Sequence, residues 1–568
     1  MRTAQMSPRR LLSLAAMAVL LTAGRTSAGG VTITIINNNA PGVGFNDPTP
    51  VAPVGGNTGT TRGQQRLIAF QYAADIWGQT LDSPVPVVVR AQFTALGANV
   101  LGSAGALYVV KDFGAAGFYP GPQFAETWYG AALGDKRAGA ELNPGAQDIN
   151  ANFSSDFNFY LGLDGNHGAQ VDLVTVVLHE LGHGLNFQTF VNGSTGVNFA
   201  GFTDIYARHL VDATTGLHWH EMTSAERQAS AIKFGSLVWD GANVSAGVPD
   251  VLTFGSPEVE VVAPAAISRQ YQFGTAAFGP AIGSPNVSGS IVAAEDPADV
   301  AGPTTTDGCS PFTNAAAIAG NIALVERGTC GFAVKARNAT IAGASAVIIY
   351  NNAANAAGAP PGMADDGING PFVTVPSVSF NRPDGLAVIG SPGPVVANIG
   401  VDLTIRAGAD SLGRARLYAV FPFSGGSSVS HYDTVARRNL LMEPAINPDL
   451  THSVKAPEDL TLELFRDIGW FADADLDGIA DQTDCNPQSD LTATIVVGGI
   501  KTNVPNTLFS SGCTISDLIA QIKATSNGQG QYISGVAALM NSLVSSGLIT
   551  QAQMDIVMDA VARSKKTT

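Results

Sequence analysis

The chain has 568 residues and a mass of 58.3 kDa; 45% are hydrophobic and only 13% charged, enough apolar material for about three domains and too much for wholesale disorder. Its net charge of −16, from 30 Lys and Arg against 46 Asp and Glu, argues against a nucleic-acid partner, whose phosphates need clustered cations. No internal apolar run reaches about 18 residues, so no membrane-spanning helix is expected in the mature chain.

Residues 1–28 place Arg2, Arg9 and Arg10 before the apolar run Leu11 to Leu21, then the small residues Thr26, Ser27 and Ala28. That order predicts a secretory signal peptide cleaved near Ala28, and hence an extracellular protein. Export permits disulfides. The four cysteines allow three pairings, and nearness in sequence favours Cys309 with Cys330 and Cys485 with Cys513. After an extended, Gly- and Pro-rich entry, Gln64 to Gly78 is predicted helical, with Leu67, Phe70, Ala74 and Trp77 on one face. Val85 to Phe93 and Asp148 to Phe153 read as strands, and Val171 to Phe187 as a largely apolar helix.

That last helix contains His179-Glu180-Leu181-Gly182-His183. Residues four apart share a helix face, so both imidazoles can reach one ion, and two histidines without a nearby thiolate suit zinc. Glu180 points aside, where it could take a proton from metal-activated water. A hydrolytic zinc needs a third protein ligand and an open position. The short-spaced metzincin pattern would put Gly and His where the chain has Asn186 and Thr189, so the third ligand lies further away. Asp204 and Glu221 are candidates, as is His431; His218 and His220 alternate as if on one strand face, between bulky neighbours.

The segments HELGHGLNF (179–187), SSVSHYD (427–433), NLLMEP (439–444) and DLTLELFRDIGW (459–470), in that order, resemble the leishmanolysin-like zinc proteases. In these metzincins an insertion separates the active-site helix from the third histidine. The resemblance implies His179, His183 and His431 as zinc ligands, Glu180 as general base and Met442 as the methionine turn beneath the metal. Two departures stand out. The gap between His183 and His431 is very long, and no cysteine precedes the helix in the mature chain, so a cysteine-switch latency cannot operate.

The gap itself resembles a protease-associated domain, on the stretch GNIALVERGTCGFAVKARNATIAGASAVIIYNN (320–352). Ile322 to Val325 and Ala346 to Tyr350 read as buried strands flanking a helix from Phe332 to Ala342, a spacing that predicts a parallel pair with a right-handed crossover. Cys309 and Cys330 would staple the approach loop to the turn before that helix. By resemblance such a domain binds or gates protein substrates.

Asp473, Asp475, Asp477, the Ile479 carbonyl, Asp481 and Asp484 have the spacing of a calcium loop, with Gly478 at the sharp turn. With Cys485-Asn486-Pro487 the segment also resembles a thrombospondin type 3 repeat. A short strand in TATIVVGG and helices over 515–525, 532–543 and 551–562 follow and predict a small bundle.

The expected fold is α+β: a two-lobed metzincin-like zinc protease with an inserted α/β protease-associated domain, a calcium-binding loop and a small C-terminal helical region. The expected division is 1–28 signal peptide, 29–255 N-terminal catalytic lobe, 256–405 protease-associated domain, 406–471 C-terminal catalytic lobe, 472–490 calcium-type loop and 491–568 helical region. The expected activity is zinc-dependent hydrolysis of protein or peptide substrates at internal bonds, with Zn2+ and Ca2+ as cofactors. The rival reading is a secreted, non-catalytic adhesion or binding protein with a degenerate zinc site; the intact Glu180 speaks against it, since a purely structural zinc has no use for that carboxylate.

Overall fold

A computed structural model describes residues 30–115, 121–283, 285–471, 484–509 and 511–564. Segment 1–28, expected to be a signal peptide, and the positions Asp473, Asp475, Asp477, Ile479 and Asp481 of the expected calcium loop lie outside the described residues.

The N-terminal part is a four-stranded sheet backed by two helices. Strand β1 (Ile33–Asn37) pairs in parallel with β2 (Val87–Thr94). Strand β3 (Gly102–Ala106) runs antiparallel to β4 (Ile149–Ser154), which is itself parallel to β2. The order is β1-β2-β4-β3, so β3 is an outer strand. The alternation of buried and half-buried residues along β2 is the period-2 pattern of a sheet with one face on a core.

Helix α1 (Arg62–Thr80) starts at a capping box between Thr61 and Gln64 and buries Ala69, Phe70, Ala73, Ala74 and Trp77 completely. Helix α2 (Ala131–Ala138) stops at Gly139, whose left-handed backbone (φ +68°) closes the last turn. Helix α3 (Leu173–Gly184) is buried over its whole length. The Asp172 carboxylate caps it, accepting from Thr175 N at 3.2 Å. The helix ends three residues before Phe187 because Asn186 turns into the left-handed region (φ +90°) and Phe187 N reaches back to Gly182 O. Trp77 in α1 donates its indole N–H to Leu178 O, fixing α1 against α3.

One hydrophobic core joins residues 31–252 to residues 409–471. Between them the chain leaves and returns on adjacent strands, Phe254–Ala263 and Val395–Arg406, which pair antiparallel from Phe254 opposite Arg406. Because the two ends of the insertion are zipped side by side, it spans the gap without opening the host core. The inserted segment forms a mixed eight-stranded sheet with a hydrophobic core on each face. At its centre Ile322–Glu326 and Ala346–Tyr350 are parallel neighbours connected by the helix Phe332–Ile341. Cys309 is bonded to Cys330 and Cys485 to Cys513.

The C-terminal helices Ile515–Thr525, Gln529–Ser545 and Gln551–Arg563 do not form a bundle alone. They share a core with a hairpin, Thr494–Val497 and Ile500–Pro505, that turns at Gly498 and Gly499, both at positive φ. No helix among the described residues is long and apolar enough to cross a membrane.

Candidate metal centre

Helix α3 presents His179 and His183 one turn apart, and an irregular segment of the returning chain brings His431 over them. The three Nε2 atoms form a nearly equilateral triangle, with edges of 3.2, 3.2 and 3.3 Å. Tetrahedral ligands about 2.0–2.1 Å from one zinc ion lie about 3.3–3.4 Å apart, so the triangle has the size of one face of that tetrahedron.

The proton positions follow from the other ring nitrogens. His179 Nδ1 lies 2.7 Å from Leu441 O, His183 Nδ1 2.8 Å from Phe187 O and His431 Nδ1 2.8 Å from Ser427 O. A carbonyl oxygen only accepts, so each Nδ1 carries the hydrogen and each neutral ring offers a bare lone pair at Nε2. Burial holds the rings neutral: it takes His179 down to about 4 and, with help from His179, His183 down to about 3. Burial, then the nearness of His183 and His179, beside which a further positive charge would be repelled once they protonate, also lowers His431 far below its ordinary value. Three buried lone pairs converging on one point, with no hydrogen between them, repel unless a cation occupies that point.

Glu180 projects from α3 into the cleft that the histidines line, beneath the outer strand β3. Burial raises its carboxyl to about 8, and the Ala104 amide of β3 partly offsets this. A Cβ on Gly102 would sit 2.7 Å from Glu180 Cγ and 2.8 Å from Oε1, so β3 passes this close only because residue 102 has no side chain. Gly102→Ala is expected to displace the carboxylate and to slow whatever reaction Glu180 serves by about 10–100-fold with metal content unchanged, as a misplacement of about 1 Å does. Kinetics and metal analysis of the same preparation would check this.

Beneath the helix, a Cβ on Gly182 would meet Met442 Sδ at 2.7 Å, and Met442 is fully buried. The turn that carries Met442 also supplies the Leu441 carbonyl to His179, and Asp459 Oδ2 holds that turn through Leu441 N at 2.6 Å. Trp470, which ends the segment DLTLELFRDIGW, donates to Leu185 O at the end of α3.

The other candidate ligands are placed elsewhere. Asp204 caps the short helix Ile205–Arg208 through Oδ1, and its Oδ2 accepts from Thr189 Oγ1 and Phe190 N. Glu221 Oε2 accepts from His218 N. His218 and His220 do not share a strand face, because the strand ends at His218 and His220 lies in a 3-10 turn; His218 Nε2 pairs with Asp240 at 2.5 Å instead. Asp484, the one carboxylate of the calcium-type loop within the described residues, accepts from Asn486 N.

Residues 287–388 match the family model of the PA domain. The chain carries a PA domain. An aminopeptidase of Pseudomonas aeruginosa is 48% identical over 66 residues, covering 11% of this chain and 12% of that one. The ER degradation-enhancing alpha-mannosidase-like protein 3 of Xenopus laevis is 40% identical over 85 residues, covering 14% of this chain and 9% of that one. The chain thus spans about a tenth of the length of these relatives, and they are not all peptidases. Among solved structures, an aminopeptidase from Aneurinibacillus sp. strain AM-1 aligns at 20% identity and a TM-score of 0.19, over 27% of this chain and 32% of that one. A zinc aminopeptidase from Bacillus subtilis aligns at 21% identity and a TM-score of 0.19, over 28% and 36%.

Proposed function

We propose that this chain is a secreted zinc-dependent endopeptidase, with His179, His183 and His431 as zinc ligands and Glu180 as general base. The observation that carries the reading is the triangle of three unprotonated Nε2 atoms beside a buried carboxylate. Zinc, when bound, supplies Lewis acidity toward a carbonyl and lowers the pKa of water. Glu180 would take the proton of the attacking water and pass it to the leaving amine. The three carbonyls at Nδ1 hold each ring in the tautomer that ligates. The leishmanolysin-like order of motifs, with Met442 under the helix, supports the metzincin form of this reading.

The cleft suits a peptide. It has a volume of about 780 Å³, and the outer strand β3 runs along it. An outer strand can pair with an extended chain through its free backbone groups, which orients a substrate whatever its side chains. Among the described residues lining the cleft, Glu180 is the only acidic one, and none is Lys or Arg. Among those residues nothing besides the base could neutralise a substrate's terminal ammonium, and no ammonium or guanidinium could hold a terminal carboxylate. Internal bonds are therefore favoured over chain ends.

The test is cleavage of a quenched-fluorescent peptide blocked at both ends, compared with a free aminoacyl amide. The expected result is cleavage of the blocked peptide, lost on chelation and restored by zinc. Cleavage of the aminoacyl amide alone would replace the endopeptidase with an aminopeptidase. Cleavage of neither by zinc-loaded protein would favour a binding protein.

A further inference from the structure

A second group of ligating atoms lies at the opposite end of β3 from Gly102. Asp135 in α2, Glu141 in the loop after it and Asp148 just before β4 each bring one carboxylate oxygen within 4.8 Å of the others. Asp135 and Asp148 are both 1% exposed, and Glu141 is half-buried. Backbone and hydroxyl groups hold two of the carboxylates in place. Asp135 accepts from Leu142 N at 2.8 Å and from Tyr108 OH at 3.2 Å, and Asp148 Oδ2 accepts from Val88 N at 2.7 Å. That leaves Asp148 Oδ1, which is buried and receives no backbone or hydroxyl hydrogen; a hydrogen bond with Asp135 is open to it only when one of the two carboxyls keeps a proton. An ionised carboxylate oxygen in that position, with two more carboxylates beside it, is strongly disfavoured without a positive charge.

We propose that Asp135, Glu141 and Asp148 form a calcium site. The donors are all hard oxygens with no imidazole or thiolate among them, which disfavours zinc. They come from a helix and the ten-residue stretch after it rather than from a regular frame. Calcium tolerates irregular oxygen cages, whereas magnesium demands near-octahedral geometry and keeps several waters, for which two nearly sealed carboxylates leave little room. The half-buried Glu141 is the side from which the ion enters.

The site sits at a structural corner. Asp148 N donates to Val88 O in β2, and Leu107 N, just past β3, donates to Asp148 O. Calcium there ties α2 and its loop to the point where β2, β3 and β4 meet, and so stiffens the strand that borders the cleft and touches Glu180.

The segment 473–484 is a separate calcium candidate, so the test uses the zinc-loaded full chain with Asp475→Asn and Asp477→Asn already introduced. Calcium binding is measured by equilibrium dialysis, and thermal melting is followed with and without calcium. This variant is expected to bind one calcium and to melt higher in its presence. Adding Glu141→Gln, on the accessible member, is expected to weaken that binding at least about tenfold and to abolish the melting shift. Asp148→Asn is expected to do the same, and Glu141→Gln decides the matter if that buried substitution prevents folding. The proposal is overturned if the starting variant binds no calcium, or if adding Glu141→Gln leaves affinity and melting shift unchanged.

Discussion

Glu180→Gln is expected to leave zinc bound while lowering kcat on an end-blocked peptide by at least about 10²–10⁴-fold, the range for loss of a positioned general base. The amide matches the carboxylate in size, so the gap beneath Gly102 stays filled, and its oxygen can still accept from the Ala104 amide. The three ring nitrogens and their carbonyl partners are untouched, so nothing in the ligand set changes. What is lost is the capacity to accept a proton. A fall in kcat with little change in KM would mark a group needed for the chemical step rather than for binding. Activity within about tenfold of wild type would remove Glu180 from the role of base.

The second large effect separates His431 from Asp204. His431→Ala removes one corner of the nitrogen triangle, and zinc affinity is expected to fall by well over the about 10–100-fold that loss of an outer hydrogen-bond partner costs. Asp204→Ala is expected to keep zinc and lose stability. Its carboxylate caps a helix, and its removal would strand the buried donor Ala207 N and the half-buried donors Thr189 Oγ1 and Phe190 N. The cap alone is worth about 1 kcal/mol, and stranded donors add about 1–3 kcal/mol. Zinc dialysis and thermal melting on both variants would show the contrast. Metal loss in Asp204→Ala with retention in His431→Ala would exchange the two roles.

Local spacing made part of this site readable from the sequence. His179, Glu180 and His183 stand out because a helix turns a four-residue interval into one face. The strand around Val87–Thr94 is visible in its alternation, and the helix around Arg62–Thr80 in its apolar period. His431 follows His183 by 248 positions, so no periodicity connects them, and only the order of motifs pointed to it. The structure supplies the physical link, since the paired strands 254–263 and 395–406 return the chain to the core it left.

Other features had no sequence signal. The carbonyls of Leu441, Phe187 and Ser427 orient the rings, and backbone atoms carry no residue identity. Strand β3 reads GSAGA, with no alternation to mark it, although its lack of side chains is what lets it lie against Glu180. The strand in TATIVVGG is legible, but the turn at its two glycines and the strand after it are not. Asp135, Glu141 and Asp148 are spaced by a loop whose path no motif describes.

The most direct test of the proposed zinc centre is X-ray absorption at the zinc edge on the purified chain, with metal stoichiometry measured on the same sample. The expected result is one zinc per chain with three imidazole nitrogens at about 2.0–2.1 Å and one further light-atom ligand. Absence of stoichiometric zinc after reconstitution, or a zinc with fewer than three imidazole ligands, would contradict the assignment of His179, His183 and His431.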